Sequence, residues 1–460
     1  MHEQEIGFFK IAAGTWRLAL LLVASTHAAT WFVAPAGDDA GPGSQIRPFA
    51  TPQRAHDASS AGDTVWFRAG VYRLAGARNA GFNASRSGTV DKPIRFWAYP
   101  GERPDFDCSG LDIQDRIKGI NVTGSHLHFR GFALHHVPQR ITRAHESWGI
   151  WVSGSGNVFE ALDLHHNQGP GLFIAEGGGN LVLNCDSHHN YDPLSSNGAG
   201  ENADGFGCHS DKPGNAFRGC RSWWNSDDGY DCINAESPVL FERSWSWLNG
   251  YLPGSTTSGR NGAGFKVGKS QTGVRHVVRF CVAFQNKAQG FYANHSLGGN
   301  DWISNTAFGN KGPGFDMLSD TLLVGDKVHR LRNNVAVGGT AIGDAGASDM
   351  RGNSWNLTSA PVAGDFQSVD TAGVSGPRRA DGSVPALAFL TPKAGGALVD
   401  CGVESGFPFV GQAPDLGAFE WGAGPDAIRG VGRMRARTGI VRADLRDALG
   451  RWFSRTGARP

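Results

Sequence analysis

The sequence predicts an all-β chain wound as a right-handed parallel β-helix, with a helix near its N-terminus capping the open end. Three observations carry this prediction: a composition with 66 Gly, 14 Trp and 27 Phe in 460 residues, a unit that recurs through the middle of the chain, and a period-two alternation inside each unit. Many glycines and aromatics favour short strands joined by turns over a helical bundle. The 43 basic and 42 acidic residues leave a formal charge of +1, so no global field recruits nucleic acid or repels a polyanion.

The N-terminal segment joins Lys10 and Arg17 to the apolar run LALLLVAS and the small residues THAAT, the pattern of a secretory signal cleaved near Ala28 or Ala29. Residues 1–29 are therefore expected to be a signal peptide, residues 30–425 the β-helix domain and residues 426–460 a basic tail, helical or disordered. The apolar run is too short to span a bilayer. A secreted or periplasmic monomer without a transmembrane segment is the expectation. At the start of the mature chain, the stretch from Trp31 to Arg73 reads as a strand, a Gly-rich turn, the capping helix and another strand.

The repeat is seen in NVFEALDLHHNQGPGLFI from residue 157, NLVLNCDSHHN from 180, NAFRGCRSWWNSDDGYDCI from 215, PVLFERSWSWLNG from 238, HVVRFCVAFQNKAQGFYA from 276 and DWISNTAFGNKGPGFDM from 301. Aligning the glycine that opens the second strand gives Gly149, Gly171, Gly205, Gly229, Gly264, Gly290 and Gly314, with successive separations of 22, 34, 24, 35, 26 and 24 residues. Short strands at this period without intervening helices require coils that stack to bury their apolar faces. The two long intervals become loops, YDPLSSNGAGENA and YLPGSTTSGRNGA, leaving neighbouring coils on one side.

Stacking also explains other columns. Asn167, Asn190, Asn225, Asn249, Asn286 and Asn310 align at one turn, where amide side chains can hydrogen-bond along the stack. Of the seven cysteines, Cys208 and Cys232 share one column, and Cys185 and Cys220 share another with Ser244 and Cys281. Side chains of in-register neighbours point the same way, which suits packed, reduced thiols better than disulfides. The paired histidines His165, His166, His188 and His189 belong to the repeat and are read as lacking a carboxylate cluster, so no metal is assigned to them. Trp223, Trp224, Trp245 and Trp247 are read as packing in preference to sugar platforms.

After the aligned glycine come two inward apolar columns, and the position between them faces outward: Trp151, Phe173, Gly207, Asp231, Lys266, Tyr292 and Asp316. Asp231 and Lys266 are thus neighbours on adjacent coils. Asp204 stacks on Asp228, with Asp227 beside it. Asp-Gly pairs are ordinary turn sequences, but two in register, bordered by both long loops and followed by an outward lysine, form a site. Four carboxylates this close raise one another's pKa unless a cation joins them. An all-oxygen set of this kind suits Ca2+.

Such a site fits an acidic polysaccharide. A cation on the substrate carboxylate makes the uronate C5 proton more acidic, and Lys266 is the expected base that removes it before β-elimination. Lys269, three positions on, is the rival base. Arg260, in the second long loop, is the candidate clamp for a substrate carboxylate.

The motifs ENADGFG, GNAFRGCRSWWNSDDGYDC, NGAGFKVG and NKAQGFYAN resemble those of polysaccharide lyase family 9, whose members include parallel β-helix pectate lyases. The resemblance covers most of residues 30–422. It implies Asp204, Asp227, Asp228 and Asp231 as Ca2+ ligands, Lys266 as the base, and pectate as the default substrate. The chain departs from the family pattern at CHSDKPGN, around His209 and Lys212. Two other readings stand beside this one. A polygalacturonase-like hydrolase would share the Asn-x-Asp-Gly and Asp-Asp pairs, but this chain has Ala263 and Lys266 where those enzymes present Gly-His-Gly, and RIK at 116–118 precedes the acids. A non-catalytic glycan-binding β-solenoid would keep the cation site as structure alone.

Overall fold

A computed structural model describes residues 28–76, 80–142, 147–318 and 322–423. The expected signal peptide up to residue 27 and the basic tail lie outside the described residues. Among those described, no helix is long and apolar enough to cross a membrane.

Each coil contributes short strands to three sheets. The twelve-stranded sheet runs from Thr30–Val33 to Ser348–Arg351, the nine-stranded sheet from Ala80–Ala84 to Phe315–Asp316, and the ten-stranded sheet from Gly70–Gly76 to Val335–Val337. Neighbouring strands pair in parallel, coil upon coil. The helix Pro52–Ala58 is where the sequence predicts it. Thr51 Oγ1 accepts the Arg54 amide at 3.2 Å, and proline opens its first turn, a position where a missing N–H costs nothing. It packs on the strands at the N-terminal edge of two sheets, burying Ala55 and His56.

The register matches the aligned columns. Trp151, Phe173, Gly207, Asp231, Lys266, Tyr292 and Asp316 are successive cross-strand partners on the nine-stranded sheet. The residues before them form an inward aromatic stack, in which Tyr230 and Phe265 lie 4.5 Å apart and Phe265 and Phe291 5.2 Å. Parallel strands put like side chains face to face, so one good packing choice repeats along the axis.

The asparagine column is fully buried or nearly so, and each amide donates to the next: Asn190 to Asn225 at 2.8 Å, Asn225 to Asn249 at 3.0 Å, Asn249 to Asn286 at 3.1 Å. Each side-chain oxygen also accepts the backbone N–H of the preceding rung. This satisfies turn amides that the sheets leave unpaired. A second polar column is marked by no single residue type: Asn157, Asn180 and Asn215 are followed by Val239, and the column resumes as His276, Asn300 and His329. The thiol column is a third. Cys185 Sγ, Ser244 Oγ and Asn305 Oδ1 each take a backbone N–H from the coil before. All seven cysteines are free, as expected.

The outer face of the ten-stranded sheet is divided. From the coil of Arg221–Trp223 onward, the segment between residues 357 and 419 lies over it, packing Phe366, Phe389, Leu390 and Leu398 on Trp223, Trp245, Trp247 and Phe284. Arg221 donates to the carbonyls of Val374 and Gly376, and Arg378 donates to Asp186, Cys185 and Gly219. These tryptophans are packing, as the sequence favours. Nearer the N-terminus the same columns carry histidines, and among the described residues His165, His166, His188 and His189 join no cluster of three ligand-type side chains, although single carboxylates stand beside the column. His188 Nε2 lies 3.0 Å from Asp163 and His135 Nε2 2.7 Å from Asp105. The carboxylates sit two positions earlier or on an adjacent coil, so they do not show in the His-His pairs themselves.

Two outcomes follow from the polar columns. Asn249→Ala removes one rung and strands its neighbours' buried groups, and should cost about 1–3 kcal/mol, read as a lower urea midpoint. Burial holds the His276 and His329 imidazoles down at about 4, against an ordinary value of 6.5. The unfolded chain takes up these protons first, so stability present above pH 6.5 is lost as pH falls toward 4. His276→Asn and His329→Asn should shrink the fall in Tm between pH 7 and pH 4.5; an unchanged fall would contradict this assignment.

Candidate active site

The turn Asn225–Gly229 presents Asp227 and Asp228, and the strand Tyr230–Asp231 turns Asp231 away from the core. Its position follows from strand alternation, since Tyr230 and Cys232 point inward and are fully buried. Asp204 holds the place of Asp228 one coil earlier, with Oδ1 accepting the Asp228 amide at 3.1 Å. Carboxylate oxygens of Asp204, Asp228 and Asp231 lie within 4.8 Å of one another.

Although outward with respect to the solenoid, the cluster is not exposed: Asp204 is 6%, Asp227 3%, Asp228 0% and Asp231 4% accessible. The two long loops account for this. Ala263 donates to Asp228 Oδ1 at 2.6 Å and Asn261 to Asp227 Oδ1 at 2.9 Å. Ser226 Oγ donates to the Gly200 carbonyl of the first loop. Asp227 thus stands beside the trio and is tied to the second loop, whereas the other three converge.

Lys266 reaches into this group from the next coil. Its Nζ lies 3.1 Å from Asp231 Oδ2, as a hydrogen bond, and 3.0 Å from Asp228 Oδ2, as an ion contact off hydrogen-bond geometry. Burial raises the carboxyl pKa of Asp204, Asp227 and Asp228, and mutual repulsion adds to it. Burial alone would lower the Lys266 pKa, but Asp228, Asp231, Asp227 and Asp204 outweigh it and hold the ammonium charged. One ammonium against four carboxylates leaves the pocket short of positive charge. Buried oxygen donors in excess of their cations, including an Asp228 oxygen with no hydrogen bond, fit a hard divalent ion such as Ca2+.

The other candidates lie elsewhere. Lys269 is exposed on left-handed backbone past the strand, with φ 62°. Arg260 clasps the two loops together: its Nη2 donates to the Asn197 carbonyl at 2.7 Å and its Nε faces Glu201 at 3.1 Å. Lys212 is exposed and pairs with Asp211.

Two further members of the outward column, Phe173 and Tyr292, border the site. Phe173 leans over Gly207, where a Cβ would come within 2.5 Å of the ring, and His209 meets that ring edge-on at 4.6 Å. Tyr292 flanks Lys266 on the far side. The glycine between Phe173 and Asp231 was the available signal.

Comparison with known proteins agrees with this architecture. The profile described as "Pel9A-like, right handed beta helix region" matches residues 31–336. Pectate lyase L of Dickeya chrysanthemi is 35% identical over 399 residues, covering 85% of this chain and 90% of that protein. Pectate lyase PEL9 of Emericella nidulans is 31% identical over 428 residues, covering 84% and 98%. Among solved structures, pectate lyase Pel9A superposes with a TM-score of 0.75 at 34% identity, covering 85% of this chain and 96% of that one. A rhamnogalacturonan lyase gives 0.74 at 32%, covering 80% and 97%. The chain therefore belongs to the Pel9A-like, right-handed β-helix family and is a polysaccharide lyase.

Proposed function

We propose that this protein is an exported enzyme that cleaves a uronic-acid polymer, polygalacturonate by default, through Ca2+-assisted β-elimination with Lys266 as base. The observation that carries this reading is the contact of Lys266 Nζ with both Asp228 and Asp231 in a buried, all-oxygen cluster. Homologues named pectate lyases and a rhamnogalacturonan lyase support the substrate class, and the N-terminal signal pattern supports export.

Asp204, Asp227, Asp228 and Asp231 would hold the cation, Asp204, Asp228 and Asp231 as the converging trio and Asp227 beside them. When bound, Ca2+ supplies positive charge that balances these carboxylates and draws electron density from the substrate carboxylate, making the C5 proton more acidic. Lys266 is placed by its register on the strand Phe265–Lys266, and its Nζ takes that proton. The C5–H electron pair becomes the C4–C5 double bond, the bond from C4 to the glycosidic oxygen breaks with its electron pair, and the departing oxygen takes a proton from solvent water, while Lys266 returns its own proton to solvent. Asp228 and Asp231 orient the amine but also favour its charged form, so relief of their charge is what lets Nζ accept a proton at moderate pH. The loops that bury the cluster keep water from screening these interactions.

The product of elimination is an unsaturated uronate that absorbs in the ultraviolet. With polygalacturonate and Ca2+ the absorbance should rise, and Lys266→Ala should slow it by about 10²- to 10⁴-fold, compared at saturating Ca2+ because loss of the ammonium leaves the buried carboxylates uncompensated. New reducing ends without absorbance would instead identify a hydrolase. Chelation should abolish turnover and Ca2+ restore it, while Asp231→Asn should raise the Ca2+ concentration needed for half-maximal rate. A rise on rhamnogalacturonan but not on polygalacturonate would reassign the polymer and keep the mechanism.

A further inference from the structure

The outer face of the ten-stranded sheet carries a second cluster of ligand-type side chains, separate from the aspartate site. His135, His165 and His188 are register partners on successive coils, and their rings stack at 5.0 and 5.1 Å. The following residues, His136, His166 and His189, form a parallel column at 5.7 and 5.1 Å. All three take left-handed backbone, with φ of 57°, 54° and 55°. That turn folds each second imidazole back on the first, and the two Nδ1 atoms of each pair converge to 2.5, 2.8 and 2.7 Å.

The first rung has what the others lack. Asp107 is the cross-strand partner of His135, and one ligand atom from each of Asp107, His135 and His136 lies within 4.8 Å of the others. Asp107 Oδ1 accepts the Ser109 amide at 3.0 Å, which orients the carboxylate. Asp105 Oδ1 stands 2.7 Å from His135 Nε2, a carboxylate behind a histidine of the kind that fixes ring orientation in metal sites. His136 is exposed, so an ion has a path in and room for solvent ligands. On the upper rungs, Asp163 is engaged by His188 and Arg103, and Asp186 by Arg221 and Arg378.

We propose that Asp107, His135 and His136 bind one divalent transition-metal cation of the zinc class, at a site distinct from the aspartate cluster. Two imidazole nitrogens and one carboxylate oxygen are a borderline donor set that suits Zn2+ and its late first-row neighbours and disfavours Ca2+. The ion would tie the strand Pro104–Leu111 to Ala133–His135 on the next coil, on a face the C-terminal segment leaves uncovered. Its effect is therefore on stability of the N-terminal coils.

The test is calorimetric titration of ZnCl2 into tag-free full-length protein, stripped by chelator and then held in excess Ca2+ so that the aspartate cluster is filled. One saturable site is expected, with a rise in Tm on zinc addition. His136→Gln and Asp107→Asn should each weaken binding at least about tenfold while leaving the zinc-free Tm unchanged, and His166→Gln should leave binding intact. Absence of saturable micromolar binding would overturn the proposal. So would binding that both first-rung variants retain, or that His166→Gln removes equally.

Discussion

Parallel in-register stacking is the constraint on which the rest of this molecule depends. Each coil lays its residues over those of the coil before at ~4.8 Å, so a side chain is chosen for a column and not for a single place. Columns of asparagine, thiol and aromatic residues follow directly. Each asparagine rung satisfies the backbone of its neighbour, and the interchange of Asn with His276 and His329 in one column, and of Asn305 with Cys185 and Ser244 in another, shows that what recurs is an acceptor aimed at an amide. Chemical identity is secondary to that geometry.

The same constraint makes the aspartate site possible and costly. Asp204 over Asp228, and Asp231 beside Lys266, are like and unlike charges held at one coil spacing by backbone they cannot escape. Burial by two loops removes the water that would screen them. What would destabilise an ordinary turn here gathers carboxylates in excess of positive charge, and it places the one basic group of the cluster against the carboxylates whose charge controls its proton affinity. Gly207 leaves the neighbouring step of the column without a side chain, which lets Phe173 lie across it at the border of the site.

The ten-stranded sheet shows how one face can serve two ends. Where the C-terminal segment covers it, the outward columns are tryptophan and phenylalanine sealed by Arg221 and Arg378. Where that cover stops, the same positions carry imidazoles with carboxylates among them. Polarity along the column follows the boundary of the covering layer.

How much of this was legible depends on whether a feature is local to the repeat. The solenoid, its register, the outward placement of Asp231 and Lys266 and the meeting of Asp204 with Asp228 were all readable, because a fixed period converts sequence spacing into spatial contact. The variable polar column of Asn157 to His329 was not, since no single residue type marks it. Contacts made by the long loops and the C-terminal segment were equally hidden. The bridge from Arg260 to Asn197 and Glu201 of the first loop, and the placing of Asp105, Asp107 and Asp163 beside histidines, follow from no local spacing. By itself, then, the sequence determined the fold, the columns and the identity of the charged cluster, because these follow from period and alternation. Only the tertiary structure decided which groups are buried, which are engaged by loops and which face of a column stays open, because those outcomes depend on chain segments that lie outside the repeat and have no fixed spacing to it.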